Sequence, residues 1–336
     1  MVESSSMGSP QERSYREELV STVTDDQFGL DGAVIRPVGR DTQPVPIVWI
    51  HGFADSFHGR HTLRVGRLLA RRGYTFVSGD TRGHDMGALF GWSASGPRYG
   101  GSWWEELDQS PSDLDAWVRF TAELGFQRVV LAGHSLGAAK VLYYQAQRQD
   151  SRVLGLVAAS GGLGASRAEP ERLALAERMV EEGRGHELLP WERWHGALVS
   201  TSARTLVSSV RAFGASAAGP LLAGIRCPIL AFYGGEEASM GASAALDDLR
   251  RMATSAQVAT HTIPGANHVY TDQEGAVAAL IAGWIPSFGG LNGSSTKFAE
   301  GPNATRGPPV VILSGAKDPW RRRTRCPARG PSLRSG

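Results

Sequence analysis

Cysteine is scarce in this chain of 336 residues, since Cys227 and Cys326 are the only two. They lie far apart in the sequence and predict neither a disulfide framework nor a structural zinc site. The sequence also lacks an H-E-x-x-H pattern and any carboxylate–histidine pairing at metal-ligand spacing. It has no G-x-G-x-x-G after its first strand and no G-x-x-x-x-G-K-[ST]. We therefore expect no metal, no nucleotide and no other cofactor.

Long apolar runs are absent as well. No run approaches the roughly eighteen residues that a membrane-spanning helix needs, so we expect no membrane span. Residues 1–13 are polar and carry Glu3 and Glu12, unlike the basic start and apolar stretch of a secretory signal. The sequence therefore predicts a cytoplasmic protein.

Charge is distributed unevenly along the chain. The formal net charge is +2, yet nine Lys and Arg but only two Asp and Glu lie between Leu291 and the end. The remainder is mildly acidic and lacks the basic footprint of a nucleic-acid-binding protein. We expect a small-molecule partner and no nucleic acid; these patterns leave the oligomeric state open.

Short apolar runs alternate with helical patterns along most of the chain. The predicted strands are residues 18–23, 33–38, 46–50, 75–79, 128–132, 153–159, 228–233 and 258–263. The predicted helices between them are residues 62–72, 113–124, 136–149, 242–252 and 273–284, and a long loop is predicted for residues 80–110. This alternation is typical of an α/β fold whose mostly parallel sheet carries helices on both faces.

The alternation pauses at residues 165–224, which show helical patterns at 169–182 and 202–213 but no convincing strand. We interpret this segment as a helical cap inserted into a core formed by residues 14–164 and 225–287.

Residues 288–336 are rich in Gly, Pro, Ser and Arg. Together with residues 1–13 they are predicted to be disordered, because they bury too little apolar surface.

The strongest chemical signal is the segment from Val129 to Ala139, which reads V-V-L-A-G-H-S-L-G-A-A. It contains G-x-S-x-G between an apolar strand and a helix, the pattern of a nucleophile elbow. Gly133 and Gly137 leave room for the tight turn, and Ser135 would sit at a helix N-terminus that favours negative charge. Ser135 is therefore the candidate nucleophile.

With this segment the chain resembles the α/β-hydrolase superfamily, in its esterase/lipase-like branch, over about residues 35–286. The resemblance implies an oxyanion hole made by the backbone N–H groups of Phe53, in the turn after the strand 46–50, and Leu136. His51 in that turn is expected to stabilise it by hydrogen bonding. Asp80 and Arg82 match a structural turn of the family, in which they bond backbone groups and each other.

The resemblance also implies a general base and an acid. His268 follows the last strand, where the family places its base, and it comes after the serine and the acid in the required order. Counting from Gly234 puts Glu237 at the acid position, and its neighbour Glu236 is the competitor. A glutamate is an accepted variant of the usual aspartate.

These residues predict a serine hydrolase that cleaves a carboxylic ester without a cofactor. Trp191 and Trp194 in the insertion, and Trp104 in the long loop, are candidates for lining an apolar substrate pocket. The same residues would suit a lactone, amide or carbon–carbon bond hydrolase. A catalytically silent domain that acts as a binding module is the alternative from another class.

Overall fold

The computed structural model describes residues 15–39, 42–93, 96–163, 168–194, 197–253 and 257–288. The segments predicted to be disordered, 1–13 and 288–336, lie outside the described residues apart from Phe288. None of the helices in the described part is both long and apolar enough to cross a membrane.

The chain forms twelve strands and eight α-helices within these ranges. The strands are β1 (Tyr15–Val23), β2 (Gly29–Pro37), β3 (Ile47–Ile50), β4 (Phe76–Gly79), β5 (Ala88–Ser93), β6 (Gly96–Gly100), β7 (Val129–His134), β8 (Val153–Ala159), β9 (Glu192–Trp194), β10 (Ala197–Val199), β11 (Ile229–Gly234) and β12 (Val258–Ile263). The helices are α1 (Arg60–Ala70), α2 (Ser110–Glu123), α3 (Leu136–Arg148), α4 (Pro170–Glu181), α5 (Ala203–Phe213), α6 (Ala215–Gly224), α7 (Ala242–Met252) and α8 (Glu274–Trp284). Short 3₁₀ turns occur at Leu107–Gln109, Gly235–Met240 and Ile285–Phe288.

Eight of the strands form one sheet in the spatial order β1-β2-β4-β3-β7-β8-β11-β12. β2 pairs with β1 and β4 in antiparallel fashion, and every other neighbouring pair is parallel. The carboxyl ends of β3, β7, β8, β11 and β12 therefore meet at one edge of the sheet, where α/β folds bind their ligands.

Two apolar clusters cover the two faces of this sheet. One joins the sheet to α2, α3, α6 and α7 through residues such as Trp117, Leu142 and Leu249. The other joins it to α1 and α8 through residues such as Leu69 and Ile281. The prediction of a mostly parallel sheet with helices on both faces is confirmed.

Two parts of the chain differ from the expectation. Residues 80–110, predicted as a long loop, contain the antiparallel hairpin β5–β6 and a 3₁₀ turn. The segment between β8 and β11 holds α4, α5 and α6, but also a small hairpin made by β9 and β10. Each strand of that second hairpin is three residues long, too short for a recognisable alternation of apolar and polar residues.

Candidate active site

Ser135 occupies the tight turn between β7 and α3. Its φ of +54° and ψ of −119° lie in a conformation that is costly for a residue with a side chain. A Cβ atom at Gly133 would lie 2.1 Å from the carbonyl oxygen of Gly137, and one at Gly137 would lie 2.3 Å from that of Ile50. Both positions therefore require glycine, as the elbow pattern predicts.

The turn after β3 lies directly against Ser135. A Cβ atom at Gly52 would be 3.0 Å from Ser135 Cβ and 3.6 Å from its Oγ. Phe53 is the next residue along this turn, and Leu136 is the first residue of α3, so its N–H has no acceptor within the helix. The two residues predicted to form the oxyanion hole thus adjoin the two backbone segments that meet at Ser135.

A buried polar network supports the turn. His51 Nδ1 lies 2.8 Å from the carbonyl oxygen of Gly52, and His51 Nε2 accepts a hydrogen bond from the N–H of Thr81 at 3.1 Å. The Lys140 ammonium donates to Thr81 Oγ1 at 2.8 Å and pairs with Glu105 Oε1 at 2.6 Å. Burial lowers the pKa of His51 to about 3, so the ring stays neutral and holds its backbone partners.

His268 and Glu237 meet at the same edge of the sheet. His268 Nδ1 lies 2.6 Å from Glu237 Oε2, and Glu237 Oε1 accepts the N–H of Gly234 at 2.7 Å. Glu237 is only 2% exposed, whereas Glu236 faces solvent. Burial alone would raise the pKa of Glu237, but the hydrogen bonds from His268, Ser160 and Gly234 outweigh it and lower that pKa.

Ser160 and Tyr270 complete this arrangement, and the sequence analysis missed both. The Ser160 hydroxyl bonds Glu237 Oε1, and the Tyr270 hydroxyl lies 2.5 Å from Ser160 Oγ. Because an ionised carboxylate only accepts, Ser160 donates to Glu237 and Tyr270 donates to Ser160. Burial raises the pKa of Tyr270 and keeps its proton in place. For Ser160 the sequence did offer one signal, because this residue directly follows β8 at the carboxyl edge of the sheet, where site residues are expected.

The structure has no hydrogen bond between Ser135 Oγ and His268 among its described residues. The His268 ring packs against His134, the residue before Ser135, with ring centroids 4.9 Å apart. Hydrogen bonds of this kind are often long before substrate binds. Ser135, His268 and Glu237 are therefore neighbours at one sheet edge, and one contact within the trio is already formed.

Asp80 and Arg82 are both buried, but they do not bond each other as the family pattern implies. Asp80 Oδ1 accepts the N–H of Phe57 at 2.6 Å. The Arg82 guanidinium pairs instead with Asp113 at 2.8 Å and with Asp26 at 3.0 Å. The reason is the start of α2, which brings the fully buried Asp113 carboxylate beneath Arg82.

One protein-family model matches most of the chain. The family model described as "Alpha/beta hydrolase family" matches residues 47–280. The chain belongs to the alpha/beta hydrolase family. The matched residues include β3, the elbow, Glu237 and His268, and the predicted α/β-hydrolase fold is confirmed.

Solved structures of other alpha/beta hydrolases share this fold at low sequence identity. Est1E from Butyrivibrio proteoclasticus is 17% identical, with a TM-score of 0.53 over 81% of this chain and 98% of that one. The esterase domain of a Rhodothermus marinus protein is 16% identical, with a TM-score of 0.54 over the same shares. Alpha/beta hydrolase GrgF from Penicillium sp. sh18 is 15% identical, with a TM-score of 0.61 over 81% and 98%. The sequence has no match among curated proteins.

In this alpha/beta hydrolase the segment between β8 and β11 packs beside the elbow. Phe213 of α5 and Leu136, which follows Ser135, belong to one apolar cluster. The start of α5 is held by the loop before α2, since the Ser202 N–H and the Thr205 hydroxyl both donate to the Trp103 carbonyl at 2.6 and 2.9 Å.

Two of the three predicted pocket tryptophans, Trp104 and Trp191, connect residues 80–110 with the segment between β8 and β11. Trp104 Nε1 donates to the His186 carbonyl at 2.9 Å, and its ring stacks on Tyr99 at 5.4 Å. Trp191 is 55% exposed and meets Trp103 edge to face at 5.5 Å. Trp194 ends β9, and its side chain lies outside the described residues.

Proposed function

We propose that this protein hydrolyses carboxylic esters of small, mainly apolar substrates through an acyl-enzyme on Ser135. The observation that carries the proposal is the 2.6 Å contact between His268 Nδ1 and Glu237 Oε2, at the sheet edge where Ser135 holds its strained φ of +54°. A serine next to a histidine that is itself oriented by a buried carboxylate is the arrangement of nucleophilic acyl transfer.

The reaction would proceed in two halves. His268 Nε2 takes the proton of Ser135 as Oγ attacks the acyl carbonyl, and the N–H groups of Phe53 and Leu136 bind the resulting oxyanion. The intermediate collapses, the C–O bond to the alcohol breaks, and the alcohol leaves with the proton from His268. Water then repeats these steps on the acyl-enzyme and releases the carboxylic acid.

Glu237 would orient His268 and stabilise the positive charge that the imidazole acquires. Its lowered pKa keeps it ionised at neutral pH, so it accepts the Nδ1–H of His268 and leaves Nε2 with the lone pair that deprotonates Ser135. Ser160 and Gly234 occupy Glu237 Oε1, which leaves Oε2 directed at the imidazole.

Ser135→Ala tests the proposal. We expect it to abolish labelling by a fluorophosphonate probe and to lower p-nitrophenyl ester turnover by on the order of 10⁴-fold or more, because the nucleophile is lost. Ser21→Ala, on the exposed strand β1, is the matched control and should change neither measurement. Circular dichroism of both variants should match the parent chain.

The same experiment separates the alternatives. A parent chain that ignores the fluorophosphonate probe would indicate a silent binding domain. Labelling of Ser135 without turnover of any p-nitrophenyl ester would favour a lactone, amide or carbon–carbon bond substrate. Substantial ester turnover by a folded Ser135→Ala variant would refute Ser135 as the nucleophile.

A further inference from the structure

Three potential metal ligands from separate segments converge beside the elbow. Asp55 lies in the turn after β3, His61 is the second residue of α1, and His134 is the last residue of β7. One donor atom of each lies within 4.8 Å of the other two, and His61 Nε2 is 3.6 Å from Asp55 Oδ2. The sequence analysis expected no metal because these residues share no recognisable ligand spacing.

His134 has a ring nitrogen that is ready to coordinate. His134 Nε2 lies 2.7 Å from the backbone carbonyl oxygen of His268, which can only accept, so Nε2 carries the proton. Nδ1 therefore bears the lone pair. This atom is buried in a residue that is only 3% exposed, and it has no hydrogen-bond partner in the described part of the chain. A carbonyl that fixes the tautomer of an imidazole is the usual support of a metal-ligating histidine.

His61 has a similar unused atom. His61 Nε2 is buried and also has no hydrogen-bond partner among the described residues, because the 3.6 Å to Asp55 is too long for one. The Asp55 side chain is 26% exposed and gives the cluster access to solvent.

We propose that Asp55, His61 and His134 form a binding site for one zinc ion, with water as its fourth ligand. Two imidazole nitrogens and one carboxylate oxygen are a donor set that Zn²⁺ accepts, whereas Mg²⁺ and Ca²⁺ prefer oxygen alone. Ligands at 2.0–2.1 Å in a tetrahedron are about 3.4 Å apart, close to the existing separation of His61 and Asp55. Because the three donor atoms lie within 4.8 Å of one another, the widest pair would have to close by no more than about 1.4 Å.

The site is distinct from the proposed catalytic residues. None of its three ligands is Ser135, His268 or Glu237, so zinc binding does not depend on ester hydrolysis. A bound ion would tie the turn after β3 and the start of α1 to the end of β7.

Zinc titration of the full chain without a polyhistidine tag tests this proposal. Isothermal titration calorimetry of the chelator-stripped protein should give one equivalent of bound Zn²⁺, with a rise in Tm of about 5 °C or more at saturation. Mg²⁺ and Ca²⁺ should give neither signal. His61→Gln and Asp55→Asn should each abolish the saturable binding. The parent chain should show visible absorption when Co²⁺ is added, and the same two variants should not.

Two control variants distinguish the outcomes. His58→Gln removes an exposed histidine of the same segment and should leave the titration unchanged. Ser135→Ala should also bind one zinc ion, whether or not the proposed hydrolysis is correct. Absence of saturable zinc binding, or equal binding in Asp55→Asn, would overturn the proposal. If His61→Gln does not fold, Asp55→Asn and the Co²⁺ spectrum decide alone.

Discussion

Glu236 and Glu237 are adjacent in sequence, yet their carboxylates lie in different environments. The 3₁₀ turn Gly235–Met240 directs Glu237 back to the N–H of Gly234 and to His268, while Glu236 faces solvent. In a 3₁₀ helix, with three residues per turn, neighbouring side chains point in different directions. Only one of the two carboxylates can therefore reach the imidazole of His268.

This difference predicts unequal effects of two identical substitutions. Glu237→Gln should lower kcat/KM by on the order of 10²- to 10⁴-fold, because an amide in place of the carboxylate can favour the wrong tautomer of His268. Glu236→Gln should stay within about twofold of the parent chain, since an exposed side chain has no such partner. Steady-state kinetics on the best p-nitrophenyl ester measures both. Equal small losses would place the acid elsewhere, with Asp80 the next residue to test.

Asp80 predicts a pH-dependent stability. Burial raises the pKa of its carboxyl from 3.8 to about 6, with a smaller opposing effect of His84 and the Phe57 N–H. Between these values the folded state binds more protons than the unfolded state, so the free energy of unfolding falls as the pH rises from about 4 to 6.

Asp80→Asn should remove this fall, because an amide does not ionise and can still accept the Phe57 N–H. Relative to the parent chain, the variant should therefore gain about 2–3 kcal/mol in unfolding free energy between pH 4 and pH 7. Urea denaturation of both proteins across this range measures the difference. Parallel curves would show that Asp80 is ionised in the folded state throughout.

The sequence predicts site residues best where the constraint is local. The elbow around Ser135 follows from two glycines whose Cβ atoms would collide with nearby backbone. The contact between Ser160 and Tyr270 could not be predicted in this way, because the two residues are 110 positions apart in the sequence. Only the position of Ser160 after β8 was a signal. Glu237 is intermediate, since its offset from Gly234 narrows the choice to two residues and the 3₁₀ turn selects one.

Elements buried on both faces were the easiest to predict. Every residue of β3 is buried, with Trp49 in one apolar cluster and Val48 in the other, so its apolar run is unmistakable. The hairpins β5–β6 and β9–β10 were missed because they lie off the main sheet, and β9 and β10 are in addition only three residues long.

The insertion gives a prediction for Trp191. Because this indole is 55% exposed and contacts Trp103 through one edge, Trp191→Ala should change Tm by no more than about 2 °C. If Trp191 lines the substrate entrance, KM should rise for long acyl chains and stay constant for acetyl esters. A chain-length profile and a melting curve on the same variant measure both. A large loss of Tm with an unchanged profile would assign Trp191 to packing.

At the scale of the whole molecule, the family match covers residues 47–280 and the last described element ends at Phe288. Composition alone predicts that the basic segment beyond it adds no core. Truncation at Gly289 should therefore leave Tm and ester turnover unchanged. Thermal denaturation and kinetics of the truncated and full chains check this, and a clear drop in Tm would show that the segment docks on the body.

The parallel pairing of β7, β8, β11 and β12 also governs when the proposed chemistry can begin. Ser135 follows β7, Ser160 follows β8, Glu237 follows β11 and His268 follows β12, so the site exists only after three parallel pairings have formed. Ala159 pairs with Phe232, which lies far from it in the sequence. Contacts between residues so distant in sequence raise the contact order, and a high contact order slows folding. During synthesis the proposed nucleophile, Ser135, emerges well before the proposed base, His268. On the proposed mechanism Ser135 is therefore unactivated in a nascent chain, until β12 has joined the sheet and placed His268 at its edge.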